Sequence, residues 1–484
     1  MSAVPSLVLL PFSVVVGLFE VSVQISRDPA VTDHAPRPAS TVAYDKVQAA
    51  LDRVCMSCHS GADAPRGLRL DSWEHLVAGS RDGGAVIPFD AERSLLVGIT
   101  TRLAGGPHPR ELGAEGFTDE EVESIRAWIE TGARSASGEV PFAEADRLLY
   151  VANQAVAMVS VIDMDTNMLI RTVDLQELGF PPNCMPHHIA VEPDGSYWYL
   201  SLIAADVVLK FDRTNRLVGQ LAIKRPGLLA LDPASDRLYV ARSMVAVSPP
   251  STIGVVNRTE MSGEQLETFV PRPHALAVAP DGRRVFTASL AVNQIAMIDP
   301  IEESVQVATL GGDRPHTFIA LAVSPDGRWM VGTTELTSKV FVFDLDLLPE
   351  MTPVDSIDVS PAPWHPVFTP DGRFVYVGNN RGNTITVIDM ESRSVEKVIE
   401  GNGIAQPHGS AVSPDGRYVY VSSRNLEMPE GHSKAGHRYA PRYDLGDNAT
   451  AGTVVVIDTE THEIVKIIEV PDYASGLGTA PAAP

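Results

Sequence analysis

The sequence predicts a small all-α domain followed by an all-β domain, a propeller of seven blades. From Arg147 onward the chain repeats with a period of about 45 residues, within the range of propeller blades. The turn Pro-Asp-Gly recurs between apolar runs of these repeats, and Asp-Gly in that context is a hairpin signal. Before the repeats, Thr118 and Glu121 form a capping box that opens an amphipathic helix ending near Gly132.

Each repeat predicts four strands. The third strand alternates in hydrophobicity and ends at an Asp or Asn, at seven positions: Asp163, Asp212, Asn257, Asp299, Asp344, Asp389 and Asp458. The turns that join the inner strand to the second strand begin at Pro193, Pro280, Pro325, Pro370 and Pro414, with a degenerate version at Pro233. The first repeat lacks an inner strand, and we expect the tail around residues 474–480 to supply it. Closing one blade from both chain ends protects the sheet edges of a propeller.

The repeats resemble the YVTN family. The resemblance is carried by Tyr150-Val151-Ala152-Asn153 and Tyr376-Val377-Gly378-Asn379, and it covers most of residues 147–475. It implies a propeller over residues 143–476. It says little about function, because this fold hosts binding modules, lactonases and redox enzymes.

Composition and charge exclude several classes of protein. The chain has 484 residues, of which 44% are hydrophobic and 20% charged, as in globular proteins. Its net charge of −23 makes nucleic acid and anionic membrane surfaces poor partners. It has three cysteines, Cys55, Cys58 and Cys184, and no disulfide framework is expected once the first two are assigned below.

The N-terminus predicts export. Residues 7–23 form an apolar run broken by Pro11 and Glu20, so residues 1–27 are interpreted as a signal peptide or an N-terminal membrane anchor. A buried core segment is the alternative. Residues 28–43 are polar and contain prolines, which is typical of a linker. We therefore expect a periplasmic protein.

Residues 55–59 carry the attachment signature of haem c. Cys55-Met56-Ser57-Cys58-His59 fits C-x-x-C-H. In this chemistry the two thiols bond to the haem vinyl groups, and the imidazole of His59 becomes the proximal ligand of the iron. Half a zinc site is the alternative, but no second cysteine pair is present to complete it. The sequence therefore predicts one covalent haem c in a cytochrome c domain over residues 44–137.

The distal ligand of this haem departs from a known pattern. Residues 67–72 and 128–133 resemble a subgroup of c-type cytochromes common in planctomycete-type multidomain proteins, over about residues 44–134. Such domains usually supply a distal Met before a Pro, but no Met occurs between His59 and Val140. His108 occupies the expected place and is the predicted ligand, with His75 as the alternative. An open sixth position is the remaining option.

Histidines accumulate where the inner strands begin. Six occur at these positions: His187, His188, His274, His316, His365 and His408. Loops that lead into inner strands open on the same face as loops between second and third strands, and inner strands line the central channel. Five blades are thus predicted to direct imidazoles to one mouth. An insertion over residues 425–451 adds His432 and His437 on that face. Alternatively, each ring only hydrogen-bonds a neighbouring blade.

If the histidines bind metal, copper fits best. An all-imidazole set disfavours Mg²⁺, Ca²⁺ and Mn²⁺. Zinc takes about four ligands, so six or seven histidines indicate more than one ion. Cys184 is a candidate soft ligand, although a buried thiol is the commoner role of a lone cysteine.

The pattern resembles nitrous-oxide reductases, whose propellers hold a four-copper sulfide cluster on seven histidines. The resemblance implies that His187 and His188 match the opening doublet, and that His432 or His437 completes the set. His274, His316, His365 and His408 match the later ligands. Gly227 stands where one blade would need a histidine, and the cupredoxin domain of those enzymes is absent.

The sequence therefore predicts a periplasmic metalloreductase. Haem c would receive electrons from a soluble cytochrome or cupredoxin, and a multinuclear copper cluster would reduce a small molecule, nitrous oxide in the favoured case. The catalytic residues would be His187, His188 and His437, with Lys434 delivering protons. The alternatives are a nitrite reductase similar to cytochrome cd1 and a non-catalytic electron-transfer or binding protein. A homodimer is an option, since it would let one chain's haem serve another chain's propeller.

Overall fold

The structure, a computed structural model, describes residues 42–103, 116–243, 245, 247–425, 439–443 and 452–480. Within these ranges a helical domain precedes seven four-stranded antiparallel sheets. The predicted fold class, a small helical domain followed by a seven-bladed propeller, is confirmed. No helix of the described residues is long and apolar enough to cross a membrane. The predicted signal peptide or anchor over residues 1–27 lies outside them.

The helical domain has four α-helices around one apolar core. They are α1 (Tyr44–Val54), α2 (Trp73–Ala78), α3 (Leu95–Leu103) and α4 (Asp119–Glu130). Leu51 of α1 and Trp128 and Ile129 of α4 are buried against each other in this core. The capping box is confirmed, because the Thr118 hydroxyl accepts from the Glu121 amide and the Glu121 carboxylate accepts from the Thr118 amide. The local sequence therefore fixes where the last helix begins.

The blades share one strand order, from the channel outward. The inner strands are β28 (Ala474–Thr479), β4 (Pro186–Val191), β8 (Leu229–Leu231), β12 (Pro273–Val278), β16 (Phe318–Val323), β20 (Pro363–Phe368) and β24 (Pro407–Val412). The second strands are β1 (Leu148–Asn153), β5 (Tyr197–Leu202), β9 (Arg237–Val240), β13 (Val285–Ser289), β17 (Trp329–Thr334), β21 (Phe374–Asn379) and β25 (Tyr418–Ser423). The third strands are β2 (Met158–Asp163), β6 (Val207–Asp212), β10 (Thr252–Asn257), β14 (Gln294–Asp299), β18 (Lys339–Asp344), β22 (Thr384–Asp389) and β26 (Gly452–Asp458). The outer strands are β3 (Met168–Asp174), β7 (Leu217–Ala222), β11 (Ser262–Glu267), β15 (Ser304–Thr309), β19 (Asp355–Asp358), β23 (Ser394–Ile399) and β27 (Glu463–Val470).

The strand ends predicted from the sequence are the strand ends of the structure. Each predicted Asp or Asn is the last residue of its third strand. The carboxylate of Asp389 shows why, since it accepts hydrogen bonds from the amides of Glu391 and Ser392, both at 2.9 Å, and so caps the turn that follows. The tail supplies the missing inner strand, because β28 pairs with β1. Each inner strand contacts the inner strands of both neighbouring blades, which closes the ring around the channel.

The helical domain packs against the rim of the propeller. Its Asp90 accepts a hydrogen bond from Thr172 of β3 at 2.5 Å, and its Phe89 ring lies 4.9 Å from the guanidinium of Arg171. On the neighbouring blade, Arg442 donates to the carbonyl oxygen of Asp82. The helical domain therefore lies on the outer strands of the first and last blades, whereas the predicted histidine site lies on the inner strands.

Candidate haem site and channel mouth

The haem attachment motif has the local geometry that haem c needs. After α1 the chain continues through one more turn, in which the amides of Cys58 and His59 both donate to the Cys55 carbonyl oxygen, at 3.1 and 2.9 Å. The Nδ1 of His59 lies 2.9 Å from the carbonyl oxygen of Leu68, so Nδ1 carries the proton and donates. Nε2 then keeps its lone pair for iron, which is how proximal histidines are oriented. The residues present thus fit a covalent haem.

The distal ligand stays a prediction. His108, the predicted ligand, lies outside the described residues. The alternative, His75, has its Nδ1 2.6 Å from the carboxylate of Asp71 and 3.1 Å from the hydroxyl of Ser72. Such a carboxylate partner orients an imidazole and makes its second nitrogen more basic. His75 is therefore held in one orientation in the first turn of α2.

The channel histidines stand in β-bulges. In three inner strands, two consecutive residues oppose a single residue of the second strand: His187–His188 opposite Ser201, Trp364–His365 opposite Gly378, and His408–Gly409 opposite Ser422. His274 is the extra residue of a similar bulge in β12. A bulge breaks the alternation of a strand and redirects its side chains. The two serines bond the freed backbone, since their hydroxyls accept from the amides of His188 and Gly409.

Four of these rings form one continuous group. His187 meets His408 edge-on with ring centroids 5.7 Å apart, His408 stacks on His365 at 4.9 Å, and His365 stacks on His188 at 5.8 Å. The rings belong to three different blades, so the group spans the channel. His274 lies close enough to affect the titration of His187, His188 and His365. We call these five side chains the channel cluster.

Burial keeps the channel cluster uncharged at neutral pH. Burial, together with repulsion from His274, lowers the pKa of His188 to about 4. Burial likewise lowers the pKa of His274 to about 4, against a hydrogen bond to the Ile319 carbonyl. The pKa values of His187, His365 and His408 are held well below the usual range for the same leading reason, with the neighbouring imidazoles and Arg424 adding repulsion. Neutral imidazoles can bind a metal or donate one hydrogen bond each.

Hydrogen bonds decide which nitrogen is available. The Nδ1 of His274 lies 2.7 Å from the Ile319 carbonyl oxygen, so it donates and Nε2 keeps a lone pair. The Nδ1 of His188 instead accepts from the amide of Leu229 at 3.3 Å, so the proton of the neutral ring is on Nε2. His274 thus has the arrangement of a metal ligand, and His188 has that of a hydrogen-bond donor. Both hydrogen bonds go to neighbouring blades, as expected if each ring only bonds the next blade.

His316 does not join the channel cluster. Its Nε2 donates to the Gly311 carbonyl oxygen at 2.9 Å and its Nδ1 accepts from the Thr337 hydroxyl at 3.1 Å, so both nitrogens are used. The physical reason is register. A residue with positive φ directly precedes each of these inner strands. In the last blade this residue is Gln406, which lies before His408. In the blade of His316 it is Thr317, which lies after the histidine. His316 therefore lies before the inner strand begins, whereas the other histidines lie within their inner strands.

Two side chains at the mouth were missed in the sequence. Trp364 occupies the position that His408 has in the neighbouring blade, because each directly follows the first proline of its inner strand, Pro363 or Pro407. The centroid of the Trp364 ring lies 4.7 Å from that of His408. Aligning the inner strands on the proline would have revealed this exchange. Arg424 directly follows the second strand of the last blade and precedes the insertion. Its guanidinium lies over the rings of Trp364 and Tyr473, at 4.7 and 4.5 Å.

The described residues do not form a metal centre. Among them, no group of three or more His, Cys, Asp or Glu side chains is arranged to hold an ion. Cys184 is buried in the apolar core between the first two blades, and burial raises the pKa of its thiol to about 11. His432, His437 and Lys434 lie outside the described residues. The described residues therefore give no support to the predicted copper cluster. One of its predicted ligands, His316, is engaged in other hydrogen bonds.

Comparisons with protein families agree with the two-part architecture. The family model described as planctomycete cytochrome C matches residues 55–102, which supports the cytochrome resemblance of the helical domain. The model described as lactonase, 7-bladed beta-propeller, matches residues 207–434. Among characterised proteins, a 6-phosphogluconolactonase of Pectobacterium carotovorum is 22% identical over 284 residues, which cover 53% of this chain and 81% of that protein. The resemblance to nitrous-oxide reductases stays a prediction.

Solved structures share the fold at low sequence identity. A protein of unknown function from Desulfotomaculum acetoxidans is 12% identical with a TM-score of 0.51, over 70% of this chain and all (100%) of that one. The dihydro-heme d1 dehydrogenase NirN, solved in complex with DHE, is 14% identical with a TM-score of 0.49, over 89% of this chain and 98% of its own. The likeness to the Desulfotomaculum acetoxidans protein concerns the fold alone.

Proposed function

We propose that the chain is an exported, haem c-linked oxidoreductase whose substrate binds at the channel mouth among the buried histidines. The observation that carries this proposal is that one chain contains two candidate sites with organised side chains. One is a haem attachment motif with its proximal imidazole oriented by Leu68. The other is the channel cluster, in which five buried, neutral imidazoles from four blades lie close together. A purely structural set of histidines would have satisfied ring nitrogens, and His408 has none satisfied among the described residues.

Haem c supplies one-electron transfer when it is bound. The chain's own contribution is to place and isolate the reactants. The helical domain rests on the outer strands, and three inter-strand spacings of about 4.8 Å, together about 14 Å, separate outer from inner strands. The cytochrome and the channel are thus separated by the width of one blade. The external electron partner is a soluble one-electron carrier protein, for which the acidic surface of this chain would suit a basic docking face.

The test follows the haem after it has been reduced. Holoprotein is reduced chemically, freed of reductant under anaerobic conditions and mixed with small oxidants, including nitrite and nitrous oxide, while the haem absorbance is recorded. We expect one oxidant to reoxidise the haem, and His408→Ala to slow that reaction by roughly 100-fold or more, as removal of one positioned polar group does in other active sites. His316→Asn is the matched control and should react as the wild type does.

The outcomes separate the candidates. Equal rates in wild type and His408→Ala would mean that the oxidant reacts at the haem itself, and the channel would have no catalytic role. No reoxidation by any small oxidant would favour the non-catalytic electron-transfer protein. A lactone hydrolase, to which the lactonase similarity points, would leave the haem without a purpose.

Nitrous-oxide reduction on copper is the second candidate, and one observation favours it. Five of the six predicted inner-strand histidines do lie at one channel mouth, including the doublet His187–His188. Metal content per haem, measured on protein purified without oxygen and supplied with copper, tests this candidate. Several copper atoms per haem, lost in a variant lacking His187 and His188, would establish it. Haem iron alone would exclude it.

A further inference from the structure

Several polar atoms at the channel mouth are buried without any partner. Both ring nitrogens of His408, the Nδ1 of His187, the Nε1 of Trp364 and the Nε of Arg424 have no hydrogen-bond partner among the described residues and no exposure to solvent. Each such group has lost its hydrogen bonds to water without gaining one within the protein, which destabilises the fold. Their side chains are in mutual contact, His408 with His187 and Trp364, and Trp364 with Arg424. A cost repeated at one place indicates a missing ligand.

Most of these atoms are hydrogen-bond donors. The indole Nε1–H and the guanidinium Nε–H can only donate. Each neutral imidazole has one N–H and one lone pair, so His408 contributes one donor and one acceptor. His188, whose Nδ1 accepts from Leu229, presents an Nε2–H on the same cluster. A ligand that completes this set must therefore offer several acceptor atoms in a small volume.

Two arginines on this face have no ion-pair partner among the described residues. Glu335 pairs with Arg381 at 2.6 Å, and no described residue forms an ion pair with Arg424 or with Arg272, which precedes β12. The other polar neighbour of Arg424 is the phenol of Tyr473. A buried guanidinium without a carboxylate partner favours an anion over a metal cation as its ligand.

Adjacent inner strands pack tightly around this group of side chains. Inner strands approach so closely that Gly409 and Gly476 have no room for a side chain, since a Cβ on either would lie closer than 3.0 Å to backbone of the neighbouring strand. Trp364 and Tyr473 cover the guanidinium of Arg424. The accessible part of Arg424 is thus its edge, which binds oxygen atoms of an anion.

We infer that the channel mouth is a binding site for a small inorganic oxyanion, held by Arg424, His408, His187 and Trp364. The inference rests on the proposed function in that it names the substrate class of the same site. It differs from the copper candidate, because its ligand carries acceptor oxygens and negative charge. Binding is the whole claim, and it is measured without turnover.

The experiment is calorimetric titration of the ferric holoprotein with sodium nitrate and, separately, with sodium phosphate. Sodium chloride at equal ionic strength is the reference, and the haem spectrum of the same samples shows whether an anion has reached the iron. We expect saturable binding of one of the two oxyanions per chain, with an unchanged haem spectrum. Arg424→Gln should weaken that binding by about 10- to 100-fold, the effect of losing one charge-assisted hydrogen bond.

Arg328→Gln is the matched control. Arg328 also lies over a tryptophan, Trp329, with its guanidinium 4.7 Å from that ring, but it follows a Pro-Asp-Gly turn on the opposite face of the propeller. Its loss should leave anion binding unchanged, which separates a local site from general electrostatics. His408→Asn is the second variant, for the case that Arg424→Gln does not fold. It should also weaken binding by about 10-fold or more.

Two results would overturn the inference. One is the absence of saturable oxyanion binding to the wild type. The other is equal binding by the wild type and by folded Arg424→Gln and His408→Asn. Oxyanion binding that these variants weaken, in a protein whose haem no small oxidant reoxidises, would keep the inference and remove the proposed oxidoreductase function.

Discussion

Gly476 is the position where a single added methyl group should disturb the channel most. It lies on β28, the strand that closes the ring, against the backbone of β4. A Cβ there would lie closer than 3.0 Å to the carbonyl oxygen of His187 and to the Cα of His188. Both are backbone atoms held by their own bulge, so they cannot move aside as a side-chain tip can. Gly476→Ala must therefore push the inner strands of two blades apart.

The expected cost follows from overpacking. Forcing an extra carbon into a close-packed interior costs typically about 1–3 kcal/mol. For domains of 150–250 residues each kcal/mol lowers Tm by about 2–4 °C, and the shift is smaller for a longer chain, so we expect a loss of roughly 2–6 °C. Thermal unfolding followed by circular dichroism measures it. Because the displaced backbone bears His187 and His188, oxyanion affinity should fall as well.

Gly311→Ala is the matched control. A Cβ at Gly311 would meet nothing within 4 Å, so this substitution should leave Tm within about a degree of the wild type or raise it slightly, by restricting the unfolded chain. If Gly476→Ala unfolds at the wild-type temperature, the inner strands are not packed as closely as the structure has them.

Three further predictions concern the frame of the molecule. Asp389→Asn should lower the free energy of unfolding by about 1–2 kcal/mol at pH 7, because hydrogen bonds from the Ser392 and Glu391 amides favour the carboxylate and lower the pKa of Asp389. That difference should be complete above the unfolded pKa of about 3.9 and disappear as the pH falls through the folded value, which chemical denaturation at pH 7 and pH 3 checks. Thr118→Ala should cost about 0.5–2 kcal/mol through loss of the cap of α4, and Thr118→Ser should restore most of it in the same assay. Truncation before Ala474 should broaden thermal unfolding, because it removes the inner strand of the first blade; an unchanged transition would contradict closure by β28.

Much of the frame could be predicted because its signals are local. An Asp that caps the turn after a third strand acts within three residues of itself, as Asp389 does with Ser392, so the seven strand ends are visible in the sequence. The capping box of Thr118 and Glu121 is local in the same way. Closure of the first blade by the C-terminal tail could be predicted because a blade without an inner strand would leave a sheet edge open.

The site was harder because its geometry depends on register. His316 follows a proline just as His408 does, but the residue with positive φ is Thr317, after the histidine, whereas Gln406 lies two residues before His408. This shift of three residues removes His316 from the channel. Arg424 had no motif to mark it. Its role depends on Trp364 and Tyr473, which come from two other blades. Contacts between residues of different blades, even neighbouring ones, do not appear in any local pattern.

The backbone partner of each imidazole determines its chemistry more than its place in the sequence does. At His59 and His274 a carbonyl oxygen takes the Nδ1 proton, which leaves Nε2 as a lone pair for iron or another metal. At His188 a backbone amide occupies Nδ1, which puts the proton on Nε2 and makes the ring a donor. A histidine set can therefore have the spacing of a metal centre and still be built to bind acceptor oxygens. The strands fix this choice through the bulges, which decide whether Nδ1 meets a carbonyl oxygen or an amide of the next blade.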